Sequence, residues 1–265
     1  MPLPDDCDLA KLTEFALLLA TAAEKEILPR FRTPSAIDNK LESGFDPVTE
    51  ADREAEKVMR EMIETRLPGD AILGEEFGHK PGTTGFTWIL DPIDGTRSFI
   101  AGMTSWATLI GLEYEGEPVI GVMHQPYVGE TFYGDCNAAW LRHKGTDRQL
   151  SVNPAPSLSR AFGTTTSPAY YGTPQRARFL ERFTSSIRNI RYDGDAYFFC
   201  LLAAGHIDVA LDADLQPYDI APLVPIIKGA GGVVSTWDNG PANGGGNIIA
   251  AASKKLHAQT LALLK

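Results

Sequence analysis

Thr87-Trp88-Ile89-Leu90-Asp91-Pro92-Ile93-Asp94-Gly95-Thr96 is the stretch from which the rest of this 265-residue chain is read. Residues 87–90 form a short apolar strand. The strand delivers two acids three residues apart, then a Gly-Thr turn. Pro92 fixes its own φ and pushes Asp91 towards an extended conformation. Asp91 and Asp94 can then project from one strand end into a shared pocket. Gly95 lets the backbone approach a ligand closely, and a helix starting here would offer free N–H groups to an anion. The plainer reading is an acidic turn that ends a strand and starts a helix. The strand before it and the Gly-Thr after it weigh against that reading, by the context test for short motifs.

Upstream, residues 8–32 read as a long helix, with Leu9, Leu12, Phe15, Ala16, Leu19 and Ala23 at helical spacing behind Asp8 as a cap. Residues 33–48 look like a turn-rich loop, and residues 49–66 like a second helix that stops before Pro68-Gly69. A strand is expected at 70–73. Downstream, strands are expected at 108–114 and 118–123, joined by the hairpin signal Glu115-Gly116-Glu117, and again at 130–133 and 139–142. Asn153-Pro154-Ala155-Pro156 is the best internal boundary, which divides the chain into an N-terminal half, 1–153, and a C-terminal half, 154–265. Beyond it strands (161–165, 190–192, 207–211) alternate with helices (174–186, 196–204, 218–228). Strands at 233–236 and 247–251 and a last helix follow. Such alternation predicts layered sheets with covering helices.

Three further acidic strings accompany the first. Leu73-Gly74-Glu75-Glu76-Phe77 follows a strand and could face the same pocket from a sheet edge. Asp46-Pro47-Val48-Thr49-Glu50-Ala51-Asp52 also reads as a helix start, with Thr49 as cap and Asp52 favoured by the helix dipole. Gln216-Pro217-Tyr218-Asp219-Ile220-Ala221 places an acid at the head of an apolar helix, where capping alone would explain it. Together they point to hard-cation binding, because carboxylate oxygens suit Mg²⁺. The five histidines show no HxH or HxxxH spacing, which argues against a His-rich zinc or iron site.

Composition excludes several classes. The formal net charge of -10, with no Lys/Arg run, disfavours a nucleic-acid partner. An acidic chain that binds an anionic substrate needs metal ions to reverse the local field. Cys7, Cys136 and Cys200 are scattered, so reduced cytoplasmic thiols are expected in place of a disulfide framework. The acidic N-terminus shows no signal peptide, and no apolar run approaches a membrane span. No Ser or Cys sits in a nucleophile motif, and the DxDx[TV] pattern of aspartyl-phosphate enzymes is missing, so no covalent phosphoenzyme is expected.

At these residues the sequence resembles the inositol monophosphatase family, over nearly the whole chain and in motif order: DPVTEAD, GEE, WILDPIDGT, YDIAPLVPIIKGAGG. The resemblance implies an α+β fold, the layered αβαβα sandwich of the sugar phosphatases, and usually a homodimer. It implies a Mg²⁺-dependent phosphatase acting on a small phosphate monoester by in-line attack of metal-activated water. Glu75, Asp91 and the Ile93 carbonyl would hold one Mg²⁺. Asp91, Asp94 and Asp219 would hold a second, and Glu75 would help hold a weaker third. Thr96, supported by Asp52 and Glu75, would orient the water, and the Gly95 and Thr96 amides, beside Asp94, would hold phosphate. Counting charge supports two to three ions. Glu75, Asp91, Asp94 and Asp219 carry four negative charges that two Mg²⁺ cancel, and a phosphate dianion calls for a third.

Several segments look most like the histidinol-phosphatase branch: Asp94 to Gly102, Ser105 to Ile110, His124-Gln125-Pro126, Gly194-Asp195-Ala196-Tyr197, Leu201 to Asp208, and Gln216-Pro217-Tyr218-Asp219. Histidinol carries an ammonium group and inositol is neutral, so an acid beside the leaving group would favour the former. Asp195 and Asp212 are the candidates, although Asp195 also reads as a helix cap. Asp212 aligns with a family acid that contacts substrate hydroxyls. Arg97 is a candidate phosphate contact or a surface arginine, and Trp106 flanks the site or belongs to the core. Ala213-Asp214 stand where this branch usually has a glycine nearby, which puts the local loop in doubt. The alternatives are an inositol-1-monophosphatase or broad-specificity sugar phosphatase and, in another class, a regulatory protein-binding member of the fold.

Overall fold

The protein was analysed as a computed structural model that describes residues 3, 4, 7–33, 37–39 and 47–265. Asp46, the first acid of the DPVTEAD string, lies outside the described residues, as does most of the loop expected at 33–48. Helix α1 (Leu9–Ile27) starts where Asp8 Oδ1 accepts from Lys11 N at 3.1 Å, and it buries Phe15, Ala16, Leu19, Ala20, Ala23 and Ile27 along one stripe. It ends earlier than residue 32. A single 3-10 turn, Leu28–Arg30, takes over at Pro29, which has no N–H to continue the helix. Within the expected loop, β1 (Ile37–Asn39) and β2 (Pro47–Thr49) form a short antiparallel pair that the polar sequence did not announce. Thr49 then caps α2 (Glu50–Arg66), with the reciprocal bond supplied by Asp52. The buried stripe of α2 contains two acids, Asp52 and Glu56, one turn apart among Ala51, Ala55, Met59 and Ile63.

The next strands are β3 (Ala71–Gly74), β4 (Gly78–Lys80) and β5 (Phe86–Asp94), then the one-turn helix α3 (Thr96–Ile100). After it come β6 (Ala107–Tyr114), β7 (Glu117–Gln125), β8 (Glu130–Gly134), β9 (Ala139–His143) and β10 (Thr146–Gln149). They form one eight-stranded sheet in the order β10-β9-β8-β7-β6-β5-β3-β4, antiparallel except where β3 runs parallel to β5. The Asn153–Pro156 stretch then precedes β11 (Phe162–Thr164), α4 (Pro174–Ser186), β12 (Asn189–Arg191), α5 (Asp195–Ala203) and β13 (Val209–Leu215). Next come α6 (Pro217–Ile220), α7 (Leu223–Gly229), β14 (Val233–Thr236), β15 (Gly246–Ala251) and α8 (Lys254–Ala262). The second sheet has the order β12-β11-β13-β15-β14.

Strand periodicity assigns the layers. On β6 and β7, Ile110 and Val122 face the core under α1 and α2, while their neighbours Leu109 and Met123 face α5 and α7. On β13 and β15, Ala210 and Ile248 join that same middle layer, while Leu211 and Ile249 pack with Phe179 and Phe183 of α4 and Leu256 of α8. The layers are therefore α1 and α2, the large sheet, α5 to α7, the small sheet, and α4 with α8, which is the αβαβα sandwich.

Two expectations need correction. The helix expected at 218–228 is two helices, α6 and α7, broken at Ala221-Pro222, because Pro222 cannot donate the bond that would continue the first. The strand expected at 207–211 is β13, which runs on to Leu215 and so carries Asp212 on the sheet itself. Trp106 settles as core: it is fully buried and packs edge-on to Phe99 and at 5.1 Å from Phe31. Among the described residues no helix is long and apolar enough to cross a membrane.

Candidate active site

Strand β5 ends irregularly, and the irregularity aims the acids. Asp91 pairs with Leu109 and Asp94 with Ala107, so the strand slips register between them. Thr108 Oγ1 donates to the Pro92 carbonyl at 2.8 Å and pins the slip. Gly95, at φ +80, then turns the chain into α3, a backbone conformation that glycine adopts without penalty. Parallel to β5, β3 ends at Gly74, and the Glu75 amide donates to the Leu90 carbonyl at 3.1 Å. This bond brings Glu75 alongside Asp91. Asp219 arrives from the middle layer, on α6.

One carboxylate oxygen from each of Asp91, Asp94 and Asp219 lies within 4.8 Å of the others, the one such metal-capable grouping among the described residues. Asp94 Oδ2 accepts from Ala196 N at 2.7 Å, at the head of α5. Asp219 Oδ2 accepts from Gln216 N at 2.7 Å. Asp94 and Asp219 are thus each held through one oxygen by a backbone amide.

Crowding raises the affinity of these acids for protons. Burial, and then the charges of Glu75, Asp94 and Asp219, hold the Asp91 carboxyl well above the usual range. Burial and the charges of Asp195 and Asp219 do the same to Asp94. Asp219 is pushed up to about 7, by burial first and by Glu75, Asp212 and Asp195 after it, against the Gln216 amide. Asp91 Oδ1 is buried and has no hydrogen-bond partner. An orphaned carboxylate oxygen among mutually repelling acids is what a cation would satisfy, and an all-oxygen donor set fits a hard divalent ion.

The acids line a cleft of about 470 Å³, which also takes in Ile93, Gly95, Thr96, Arg97, Asp195 and Asp212. That volume lies within the range of small-molecule sites. Thr96 Oγ1 donates to the Ile93 carbonyl at 3.1 Å. Asp52 does not line the cleft. Its Oδ2 accepts from Thr49 N at 2.8 Å and Thr49 Oγ1 at 2.6 Å, and the bond it makes is to Thr49 and not to Thr96. Burial first, with the Glu75 charge adding to it, raises Asp52 to about 6.

Asp195 is the first residue of α5 and takes φ +45; Gly194 is the cap. Its Oδ2 accepts from Ser98 Oγ at 2.9 Å and would lie 2.7 Å from a Cβ placed on Gly95, so the carboxylate abuts the turn after Asp94. Asp212 is buried and accepts from the Thr166 hydroxyl and amide; burial first, and the Asp195 charge, push it up to about 7. Neither Asp195 nor Asp212 forms an ion pair among the described residues. Arg97 is exposed at the rim, with Nη1 3.4 Å from the Tyr170 hydroxyl.

Sequence reasoning missed part of the rim. Thr166, Tyr170, Asp214 and Gln216 also line the cleft. Asp214 sits in the irregular end of β13 at φ +62, where a glycine would be at ease, and is paired to Arg176 of α4. The missing glycine was the available signal. The partner Arg176, 38 residues earlier in the chain, had none.

Comparison with known proteins identifies the family. The chain is 34% identical over 98% of its length to the bifunctional phosphatase IMPL2, chloroplastic, of Arabidopsis thaliana, covering 77% of that protein. It is 33% identical over 95% of its length to the histidinol-phosphatase of Mycobacterium tuberculosis, covering 97% of it. The solved structure of an inositol monophosphatase from Zymomonas mobilis superposes with a TM-score of 0.86 at 36% identity, over 97% of this chain and 99% of that one. The model of the inositol monophosphatase family matches residues 8–265, and the chain belongs to that family.

Proposed function

We propose that the protein is a Mg²⁺-dependent phosphatase whose substrate is histidinol phosphate. The observation that carries the hydrolytic part is the convergence of Asp91, Asp94 and Asp219 on one point, with a buried, partnerless oxygen on Asp91. In this reading Glu75, Asp91, the Ile93 carbonyl, Asp94 and Asp219 hold two to three Mg²⁺ ions. Bound there, the ions supply positive charge that makes water a stronger nucleophile and stabilises the departing oxygen. The chain does the rest. The Gly95 and Thr96 amides donate to phosphate oxygens at the head of α3. Thr96, whose hydroxyl now rests on the Ile93 carbonyl, orients the attacking water beside Glu75, and Asp52 contributes to this arrangement only through its bonds to Thr49.

The leaving group sets the substrate. Asp195 and Asp212 place two more carboxylates on the cleft wall, which suits a cationic alcohol better than a neutral polyol. Arg97 stands at the phosphate end. The histidinol-phosphatase from Mycobacterium tuberculosis supports this reading by its similarity along nearly its whole length. The inositol monophosphatase from Zymomonas mobilis supports the second reading, an inositol-1-monophosphatase or broader sugar phosphatase. The enzyme is further expected to be a cytoplasmic homodimer.

Phosphate release with Mg²⁺ from L-histidinol phosphate and from myo-inositol 1-phosphate, on one preparation, separates the readings. A higher kcat/KM for histidinol phosphate, abolished by Asp94→Asn, is the expected result. Preference for the inositol ester would keep the metal site and overturn the assignment of Asp195 and Asp212. No Mg²⁺-dependent release from either ester would overturn both readings and favour the regulatory role.

A further inference from the structure

We propose that Glu56 is a positioning residue that holds Glu75 in place and thereby sets the affinity of the site for its divalent cation. The inference rests on the reading that Glu75 helps hold the ion. Glu56 is fully buried on α2, one turn after Asp52. Its Oε1 accepts from Arg60 Nε at 2.6 Å and from Phe77 N at 3.2 Å, and its Oε2 accepts from Glu76 N at 2.7 Å. Arg60 also donates, through Nη2, to the Gly78 carbonyl. One buried carboxylate thus clamps both amides that follow Glu75, while the amide of Glu75 itself is tied to the Leu90 carbonyl. Gly74 closes the fit: a Cβ there would lie 2.0 Å from Glu56 Oε1 and 2.8 Å from Arg60 Nη2.

Joining α2 to the β3–β4 turn does not by itself call for a charge. Apolar packing joins elements at least as well, because a buried ion pair carries a large desolvation cost. A carboxylate does what an apolar side chain cannot: it accepts two successive amides and fixes the orientation of the turn. Residues that orient metal ligands typically change metal affinity when they are replaced.

The test reads the binding of Mg²⁺ alone to the metal-free protein, by calorimetry below the unfolding temperature. Glu56→Gln keeps the shape but turns an acceptor into a donor, and should raise the Kd by roughly 10–100-fold. In a Glu75→Gln background the same change should add less than about twofold, because coupled residues are not additive. Asp70→Asn is the control. Asp70 is another buried acid, bonded to Thr84 Oγ1 at 2.6 Å and Trp88 Nε1 at 3.0 Å, and its loss should lower stability while leaving the Kd unchanged. If Glu56→Gln does not fold, Arg60→Lys loosens the same clamp and should raise the Kd by a smaller factor. The proposal is overturned if the clamp variants lower stability but leave the Kd in place, or weaken binding equally with and without Glu75. If Glu75→Gln binds Mg²⁺ as the parent does, the reading of Glu75 falls first and the proposal with it.

Discussion

In the absence of metal, Asp212→Asn should stabilise the protein, and the gain should grow with pH. Asp212 is 2% exposed, and its carboxyl is raised from 3.8 to about 7, chiefly by burial. The unfolded chain therefore gives up this proton at a lower pH than the folded one. Between those two values the folded state binds the extra proton, and stability falls as pH rises. The contribution is fully present below the unfolded value and is lost once pH passes about 7. A gap of about 3 units at 1.36 kcal/mol each puts the penalty near pH 8.5 at about 4 kcal/mol. At pH 5 only part of the gap has been crossed, and the same relation gives about 2 kcal/mol. Asparagine carries no charge at either pH and escapes both penalties. Urea unfolding of parent and variant in a chelating buffer, followed by tryptophan fluorescence, measures the difference. A gain that is the same at pH 5 and pH 8.5, or a loss at pH 8.5, would refute the reasoning. If Asp212 meets a cationic leaving group, the stabler variant should also be the poorer enzyme towards histidinol phosphate.

Three other outcomes are expected. Mg²⁺ affinity of the metal-free protein should climb by about tenfold per pH unit for each proton displaced as pH rises towards 7, since Asp219 titrates near there and Asp91 and Asp94 are raised too; calorimetry in buffers of different ionisation heat counts the protons. Asp94→Asn should abolish Mg²⁺-dependent phosphate release yet raise the melting temperature of the metal-free protein, because it removes one repelling charge and an amide oxygen can still cap Ala196. Gly95→Ala should cut kcat/KM by more than tenfold, on the order of the loss from misplaced catalytic groups, while circular dichroism stays near that of the parent. Its φ of +80 and the Asp195 oxygen 2.7 Å from the added methyl force the turn to move.

What the sequence revealed and what it hid divide along physical lines. The Asp91–Thr96 string was readable because its acids, its proline and its glycine act within a few residues of one another. The helix at 49–66 was readable for the same reason, since its cap and stripe are local. Asp219 looked like a plain cap, and it is one; its second neighbourhood, Asp91 and Asp94, depends on two layers packing together over more than a hundred residues. The four acidic strings taken together pointed to a shared cation site, and the family resemblance assigned Asp219 to it. β10 went unseen because all four of its residues are exposed and no alternation marks them. Asp52 was expected to support Thr96, but its local bond to Thr49 is the one formed. Arg176 and Asp214 illustrate the remaining gap: a polar pair distant in sequence leaves no period to detect.

The amides of Ala196 and Gln216 each occupy one oxygen of an acid at the centre of the cleft. Each bond fixes the orientation of its carboxylate and takes up part of one oxygen's accepting capacity, leaving the other oxygen the freer ligand. Large ions such as Ca²⁺ fill six to eight places and often draw both oxygens of an acid, whereas Mg²⁺ accepts single oxygens in an octahedron and keeps its waters. If the cleft holds a cation as proposed, two main-chain N–H groups that orient Asp94 and Asp219 would favour coordination through single oxygens, and so a small ion, through the backbone alone.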